Sequence, residues 1–467
     1  MEYNNPNNIS DSKEILPDDV TPHLPDKDIR AIVDAVKSQD SDTVYAVLNE
    51  LSTSDAAELL SKISDDDRRE LLFMYGEALN PEIFTEMDQE LSRSFLSAMP
   101  AHDVAHIISE LESDDALLLV EALSADFQSD VINKLPATTR MALEEGLNFP
   151  EDSAGRLMRR EMVAVPDFWT VGKTIDYLRL NANNLPDDFF DIFTVDPSHQ
   201  LIGEVPLSRL IRTNRSVKIQ DLSLEEIHSV PATMDQETVA HMFRRDDIVS
   251  APVIDESGRL IGTITIDDII DVIDEEAQED ILRMAGVDQG DLYRAVISTT
   301  GLRFRWLFVN LITAILASIV ISFFGGAIEQ IVALAVLMPI VASMGGNAGT
   351  QALTVAVRAI ATHELSETNT WRVIWKETLV GLLNGILFAV IIGFIAAIWF
   401  QMPILGLVIA MAMIINLIVA GLCGAGIPLF LHRRGSDPAV SSTVLLTTVT
   451  DVVGFLSFLG LASLLMT

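Results

Sequence analysis

"LLTTVTDVVGFLSFLGLASLLM", residues 445–466, is long and apolar enough to cross a bilayer, and its single charge is Asp451. An acid at that depth is costly, and those that persist there face a pathway or a partner rather than lipid. Thr447 and Thr448 precede it by one helical turn and Gly454 follows three residues later, which places hydroxyls on its face of a helix. Four more runs of similar length lie upstream, at about 306–328, 331–357, 379–400 and 404–431. Lys and Arg occur only near their ends, so Asp451 has no deep basic partner. A cation or proton pathway is favoured over a protonated acid held by hydroxyls.

Two spans depart from plain lipid-facing helices. The second contains "LMPIVASMGGNAGTQALTVAV" (337–357), with Pro339, Gly345, Gly346, Gly349, Asn347 and Gln351. The fourth contains "NLIVAGLCGAGIPLF" (416–430). Glycines at these positions either let helices approach closely or open the helical ladder toward a cavity. The second span reads as opened or closely packed, and packing alone is as good a reading of the fourth. The polar groups are oxygens, which suits magnesium or calcium better than zinc or copper. One acid is too poor a cage for bare calcium, whereas hydrated magnesium is held by one or two carboxylates through its waters. A two-fold dimer would supply the second.

The formal charge of −36 is unevenly placed. From Gly301 onward seven bases face six acids, leaving −37 for residues 1–300. So acidic a half repels phosphates, which argues against nucleic-acid binding; it suits divalent cations or a merely solvated surface. One cysteine, Cys423, excludes an intrachain disulfide framework. The first residues lack the pattern of a signal peptide. Arg303, Arg305, Arg358, Arg372, Lys376, Arg433 and Arg434 flank alternate ends of the spans, which predicts a cytoplasmic N-terminal half and an outer C-terminus.

Within that half, "VDPSHQLIGEVPLSRLI" and "IDESGRLIGTITIDDII" align, with Asp196 and Gly203 matching Asp255 and Gly262. Each follows a β-type stretch and a helical pattern, predicting one α/β module present twice. Beyond the second copy, eight acids fall within residues 267–280 on a helical pattern. They repel one another unless cations or distance relieve them. Residues 28–150 read as short stacked helices, each opened by a capping Asp or Ser. No nucleophile–base pair or hydrolase motif appears, so the chain is not expected to be an enzyme.

The repeated module resembles a pair of cystathionine-β-synthase (CBS) domains, a family whose Gly-x-x-Thr-x-x-Asp pattern often supports adenine nucleotides. Gly262, Thr265 and Asp268 keep that pattern in the second copy, while Pro206 and Arg209 replace it in the first, which leaves ATP sensing and a purely structural use of the pair as the two readings the resemblance offers. Taken in order, the helical array, "PEDSAGRLM" (150–158), the CBS pair, the acidic helix, "MPIVASMGGNAGTQ" and "SDPAVSSTVLLTTVTDVVGF" resemble the MgtE family of magnesium channels. The fold implied is a multidomain membrane protein: a flexible tail (1–27), an all-α superhelical domain (28–150), the α/β CBS pair (151–276), a connecting plug helix (277–302) and a five-helix transmembrane domain (303–467). The resemblance implies a homodimer in the bacterial plasma membrane that takes up Mg2+ through a pore at the dimer interface. Asp451 matches the pore aspartate, with Thr447 one turn away. Cytoplasmic Mg2+ would close the pore through acids matching Asp247, Asp268, Asp271, Glu276, Glu279 and Asp280, with Asp235, Glu237 and Asp114 added. Leu118 stands where a further acid of the helical domain is expected. A chloride channel is a poor rival, because its CBS pair follows a far larger membrane part. A proton-coupled exchanger and a nucleotide-responsive sensor without transport are the others.

Overall fold

The computed structural model describes residues 26–75, 79–186, 188–287, 290–362, 364–365, 368–435 and 437–466. The tail assigned to 1–27 lies outside them except for its last two residues, which begin the first helix. The chain divides into two compact units, residues 1–270 and 271–467.

The first unit opens with α1 (Asp26–Ser38), α2 (Ser41–Glu50), α3 (Thr53–Lys62), α4 (Asp65–Tyr75), α5 (Gln89–Leu96), α6 (Ala101–Ser109), α7 (Ser113–Ala122), α8 (Ala125–Ile132) and α9 (Ala137–Gly146). Helix α5 packs on α7, α6 on α8 and α7 on α9, the i to i+2 stacking of a superhelical array. Leu59, Leu60, Leu71, Leu96, Ile108 and Val120 are fully buried between them, each contributing roughly 1.5–3 kcal/mol. Asp40, Ser52 and Asp88 cap α2, α3 and α5 through backbone N–H groups. The expected caps fail from α6 to α9, whose N-cap residues Pro100, Glu112, Ser124 and Pro136 make no side-chain cap bond. There the acids fall inside the first turn, as Asp103, Asp114 and Asp115 do, and meet the helix dipole instead.

After α10 (Ala154–Leu157) come two sheets built alike. In the first, β1 (Ala164–Pro166) runs parallel to β2 (Asp191–Val195), which pairs antiparallel with β3 (Leu201–Pro206); α11 (Val171–Leu180) connects β1 to β2 and α12 (Leu207–Ile211) follows β3. In the second, α13 (Gln236–Asp246) connects β4 (Val230–Pro231) to β5 (Ser250–Ile254), which pairs with β6 (Leu260–Thr265). Equivalent positions meet across a local two-fold. Asp191 accepts a 2.6 Å hydrogen bond from its counterpart Ser250, and Gln200 bridges Arg259. Leu201 N–H donates to Gly258 O as Leu260 N–H donates to His199 O, both at 3.1 Å.

This pseudo-symmetric seam holds an acid that the strand pattern hid. Glu204, opposite Phe193 on β3, is 4% exposed and its Oε2 has no hydrogen-bond partner among the described residues. Burial, with Asp191 adding repulsion, pushes its pKa to about 7. The unfolded chain releases this proton near pH 4.5, so stability is expected to fall as pH rises from there to 7, by at most about 3 kcal/mol. Glu204→Gln should flatten that slope in urea melts of the purified protein; an unchanged slope would assign it to other groups.

Helix α14 (Ile266–Ala285) carries the division between the units. The second unit continues with α15 (Val296–Ser322), α16 (Gly325–Gln330), α17 (Ala333–Ala361), α18 (Thr370–Trp399), α19 (Pro403–Arg433) and α20 (Pro438–Met466). Five of these helices are long and apolar enough to cross a membrane. Two expectations are corrected. The segment 277–302 holds the end of one helix and the start of another, because α14 stops at Ala285, Gly286 turns at φ +70° against Trp306, where no Cβ fits, and α15 begins only at Val296. The first span ends at Ser322, with 325–330 a separate short helix.

Helix α19 packs against α17, α18 and α20, and glycines set how closely. A Cβ at Gly381 would lie 2.3 Å from Leu417 O, and one at Gly421 2.4 Å from Glu377 O, so α18 and α19 meet backbone to backbone. By contrast Leu307, Leu311 and Ile315 on α15 and Leu387, Val390 and Phe394 on α18 are exposed, the surface a lipid-facing helix presents.

Candidate functional site

Asp451 sits midway along α20, half-buried, with no hydrogen bond or ion pair to any described residue. The hydroxyls around it are turned into their own helix. Thr447 donates to Thr443 O at 3.0 Å, Thr448 to Val444 O at 2.6 Å and Thr450 to Leu446 O at 3.1 Å. Their protons are thereby spent on the backbone, and their oxygens remain acceptors. The local chemistry is therefore one carboxylate among acceptor oxygens, which suits a hydrated cation.

Helix α17 is continuous through "GGNAG", so the opened-ladder reading gives way to close packing. Asn416 of α19 is the reason. It is fully buried, donates Nδ2–H to Val341 O at 2.8 Å, and fills the space beside Gly345 of α17 and Gly454 of α20. One amide thus joins three helices three residues from Asp451. Its Oδ1 has no hydrogen-bond partner among the described residues.

The C-terminal end of α14 reaches the start of α20. Arg283 pairs with Glu279 and, at 2.7 Å, with Asp437. Thr443 donates to Met284 O at 3.1 Å, and Met284 packs on Leu353, Val357 and Leu446. Asp280 is pushed up to about 6 by burial, then by Asp437 and Glu276. Asp271, Glu276, Glu279 and Asp280 thus share the second unit with Asp437, while Asp268 lies on the first-unit part of the same helix.

Sequence reasoning missed Arg159, which binds four carboxylates at once. It lies 3.0 Å from Glu112, 3.1 Å from Asp114, 2.5 Å from Asp267 and 2.8 Å from Asp268. The signal available was a basic pair, Arg159 and Arg160, directly after "PEDSAGRLM" in an acidic half. Burial raises Asp114 well above the ordinary carboxylate range and Asp115 to about 6, with Asp268 adding repulsion to both. The other expected ligands have local duties. Asp235 caps α13 by accepting from Glu237 and Thr238 N–H, which places Glu237 in that helix's first turn, and Asp247 ends it in a left-handed conformation (φ 53°). Among the described residues, no three acids, His or Cys converge as a preformed metal cage.

The nucleotide motif is similarly engaged. A Cβ at Gly262 would lie 2.6 Å from Met158 Sδ and 2.7 Å from Arg159 O, so that glycine admits a neighbouring chain segment. Asp268 accepts from Thr265 Oγ1 at 2.8 Å and from Arg159. A narrow cleft with a cavity volume of about 20 Å³ lies alongside, lined by Phe189, Phe190, Asp191, Thr265 and Arg159 among others. In the first repeat, Arg209 donates to Leu222 O at the position equivalent to Asp268.

Three family models match the chain in order: the MgtE intracellular N domain over residues 51–152, a CBS domain over 219–275, and the MgtE divalent cation transporter over 338–461. The magnesium transporter MgtE of Thermus thermophilus is 31% identical, covering 93% of this chain and 98% of that one. The Bacillus subtilis magnesium transporter MgtE is 30% identical, covering 90% and 93%. The solved cytosolic domain of the Mg2+ channel MgtE in complex with ATP aligns at 28% identity and a TM-score of 0.49, over 52% of this chain and 99% of that one. The resemblance thus runs through the helical array, the CBS repeat and the helices that carry Asn416 and Asp451, and the chain belongs to the MgtE family of magnesium transporters.

Proposed function

We propose that the protein is a Mg2+ uptake channel in the bacterial plasma membrane and that Asp451 is its selectivity acid. One observation carries the reading: an acid without a partner among the described residues sits midway along an apolar helix, among acceptor oxygens, in a chain that belongs to a transporter family. Its counter-charge is the ion in transit. A homodimer with its axis beside α20 would bring two such acids to one hydrated ion. The Lys and Arg near the span ends favour an N-terminal half inside and a C-terminus outside.

Closure by cytoplasmic Mg2+ belongs to the same reading. Asp437 and Glu276 each repel Asp280, adding to the burial that raises its pKa. Sharing a cation would relieve that repulsion and keep the end of α14 seated on α20. The acids there fit a divalent ion by charge and ligand type. For ATP, the aromatic walls of the cleft suit a base, but a cavity of about 20 Å³ must widen before a base enters, and Asp268 must give up Arg159 before it can bind the nucleotide.

Rescue of a magnesium-requiring bacterial strain, with Mg2+ influx measured in proteoliposomes, tests the proposal. Rescue together with influx that needs no opposing proton flux is the expected result. A well-expressed, folded protein that neither rescues nor conducts would overturn it.

A further inference from the structure

The pair Asp114 and Asp268, expected to hold a divalent cation, does not fit one here, because the guanidinium of Arg159 already stands between them. Its Nε lies 3.1 Å from Asp114 Oδ2 and 3.2 Å from Asp268 Oδ2. Its two Nη atoms reach Glu112 at 3.0 Å and Asp267 at 2.5 Å. The side chain is only 15% exposed. These acids come from two directions, the start of α7 in the helical array and the start of α14 after the second repeat. A hydrated Mg2+ needs a full octahedral shell and does not tolerate a fixed positive group within it. A guanidinium instead offers five donors in a rigid fork and satisfies several carboxylates in one plane.

The backbone of Arg159 is held independently of the acids. Its N–H donates to Thr263 O at 2.8 Å, and Thr263 N–H returns the bond at 2.9 Å. Gly262 lets the two segments approach that closely. Neighbouring bases hold the helical array as well, with Arg156 paired to Glu121 of α7 and Arg160 2.9 Å from Glu145 of α9. Arg160 N–H and Glu161 both bond Ser113 Oγ, at 2.8 Å and 2.7 Å. The segment 156–161 is therefore a basic clasp between the helical array and the repeats.

We propose that Arg159 is a tethered cation that does the work of a divalent ion at this junction, so that α7 docks on the second CBS repeat without Mg2+. This deepens the regulatory part of the channel reading and confines Mg2+ sensing to other acids, yet it stands or falls without any transport measurement.

The test is hydrogen–deuterium exchange on the full-length protein in nanodiscs, read at peptides covering residues 110–118 and 156–164. In the wild type, exchange there should differ by less than about twofold between EDTA and millimolar Mg2+. With Arg159→Gln it should quicken on the order of tenfold in EDTA. Mg2+ should restore protection, whereas potassium chloride at matched ionic strength should not. Equilibrium dialysis with Mn2+ should find about one more ion bound per Arg159→Gln chain, at the vacated acids. Should that variant misfold, Asp268→Asn breaks the same contact from the other side and is expected to quicken exchange in EDTA. A wild type that loses protection about tenfold in EDTA, or variants that exchange like the wild type in EDTA, would overturn the proposal.

Discussion

Replacing Asp451 with Asn is expected to lower Mg2+ influx on the order of 100-fold while a monovalent leak persists. The magnitude follows from charge. A divalent ion held through one water, about 5 Å from a carboxylate, gains several kcal/mol at an effective dielectric of about 20. If half of that survives desolvation, the loss is a factor of about 100. Asn keeps the size and the hydrogen bonding, and Asp451 has no partner to lose among the described residues, so folding should be little changed. The structure therefore separates this effect from stability. Proton coupling is the rival account, and under it Asn would abolish pH-driven exchange without opening a leak. Loss of Mg2+ selectivity with retained conductance supports a pore, whereas wild-type selectivity in a folded Asn variant would remove Asp451 from the ion path.

How much of this was legible in the sequence depends on the range of the interaction concerned. The spans, the repeat and the lone acid are one-dimensional patterns, and the hydropathy and spacing of residues 296–466 and 191–265 suffice to read them. At "GGNAG" the sequence leaves ladder opening and close packing both open, because glycine serves both purposes, and only Asn416, some 70 residues away, decides between them. The plug helix was drawn too long because acids, apolar residues and Gly286 continue a plausible pattern; Trp306 supplies the reason for the break. Arg159 was invisible for a related cause. Its partners lie 45–47 residues before it and 108–109 after it, at Glu112, Asp114, Asp267 and Asp268. A list of acids alone cannot show that a base has taken their place. Nor could strand alternation reveal Glu204, since an acid at an inward position is read as outward until the fold is seen to bury it.

Adding one methyl group to the second span should be as disruptive as removing the acid. A Cβ at Gly345 would lie 2.2 Å from Asn416 Nδ2 and 2.8 Å from its Cγ. Asn416 has no easy retreat, because a Cβ at Gly454 would already lie 2.8 Å from the same Nδ2. Gly345→Ala must therefore push α17 away from α19 or break the Asn416–Val341 bond. Overpacking costs about 1–3 kcal/mol and the lost buried hydrogen bond about 1 kcal/mol, so the helix bundle should lose roughly 1–3 kcal/mol, with transport falling as the seam beside Asp451 shifts. The adjacent glycine is the control. A Cβ at Gly346 meets nothing within 4 Å, so Gly346→Ala should be nearly neutral for packing. Asn416→Ala frees the space that Gly345→Ala needs, and the double variant should recover about 1–3 kcal/mol of coupling in thermal melts in detergent. If Gly346→Ala is the more damaging change, the motif works through conformational freedom or through an ion path rather than through the fit between Gly345 and Asn416.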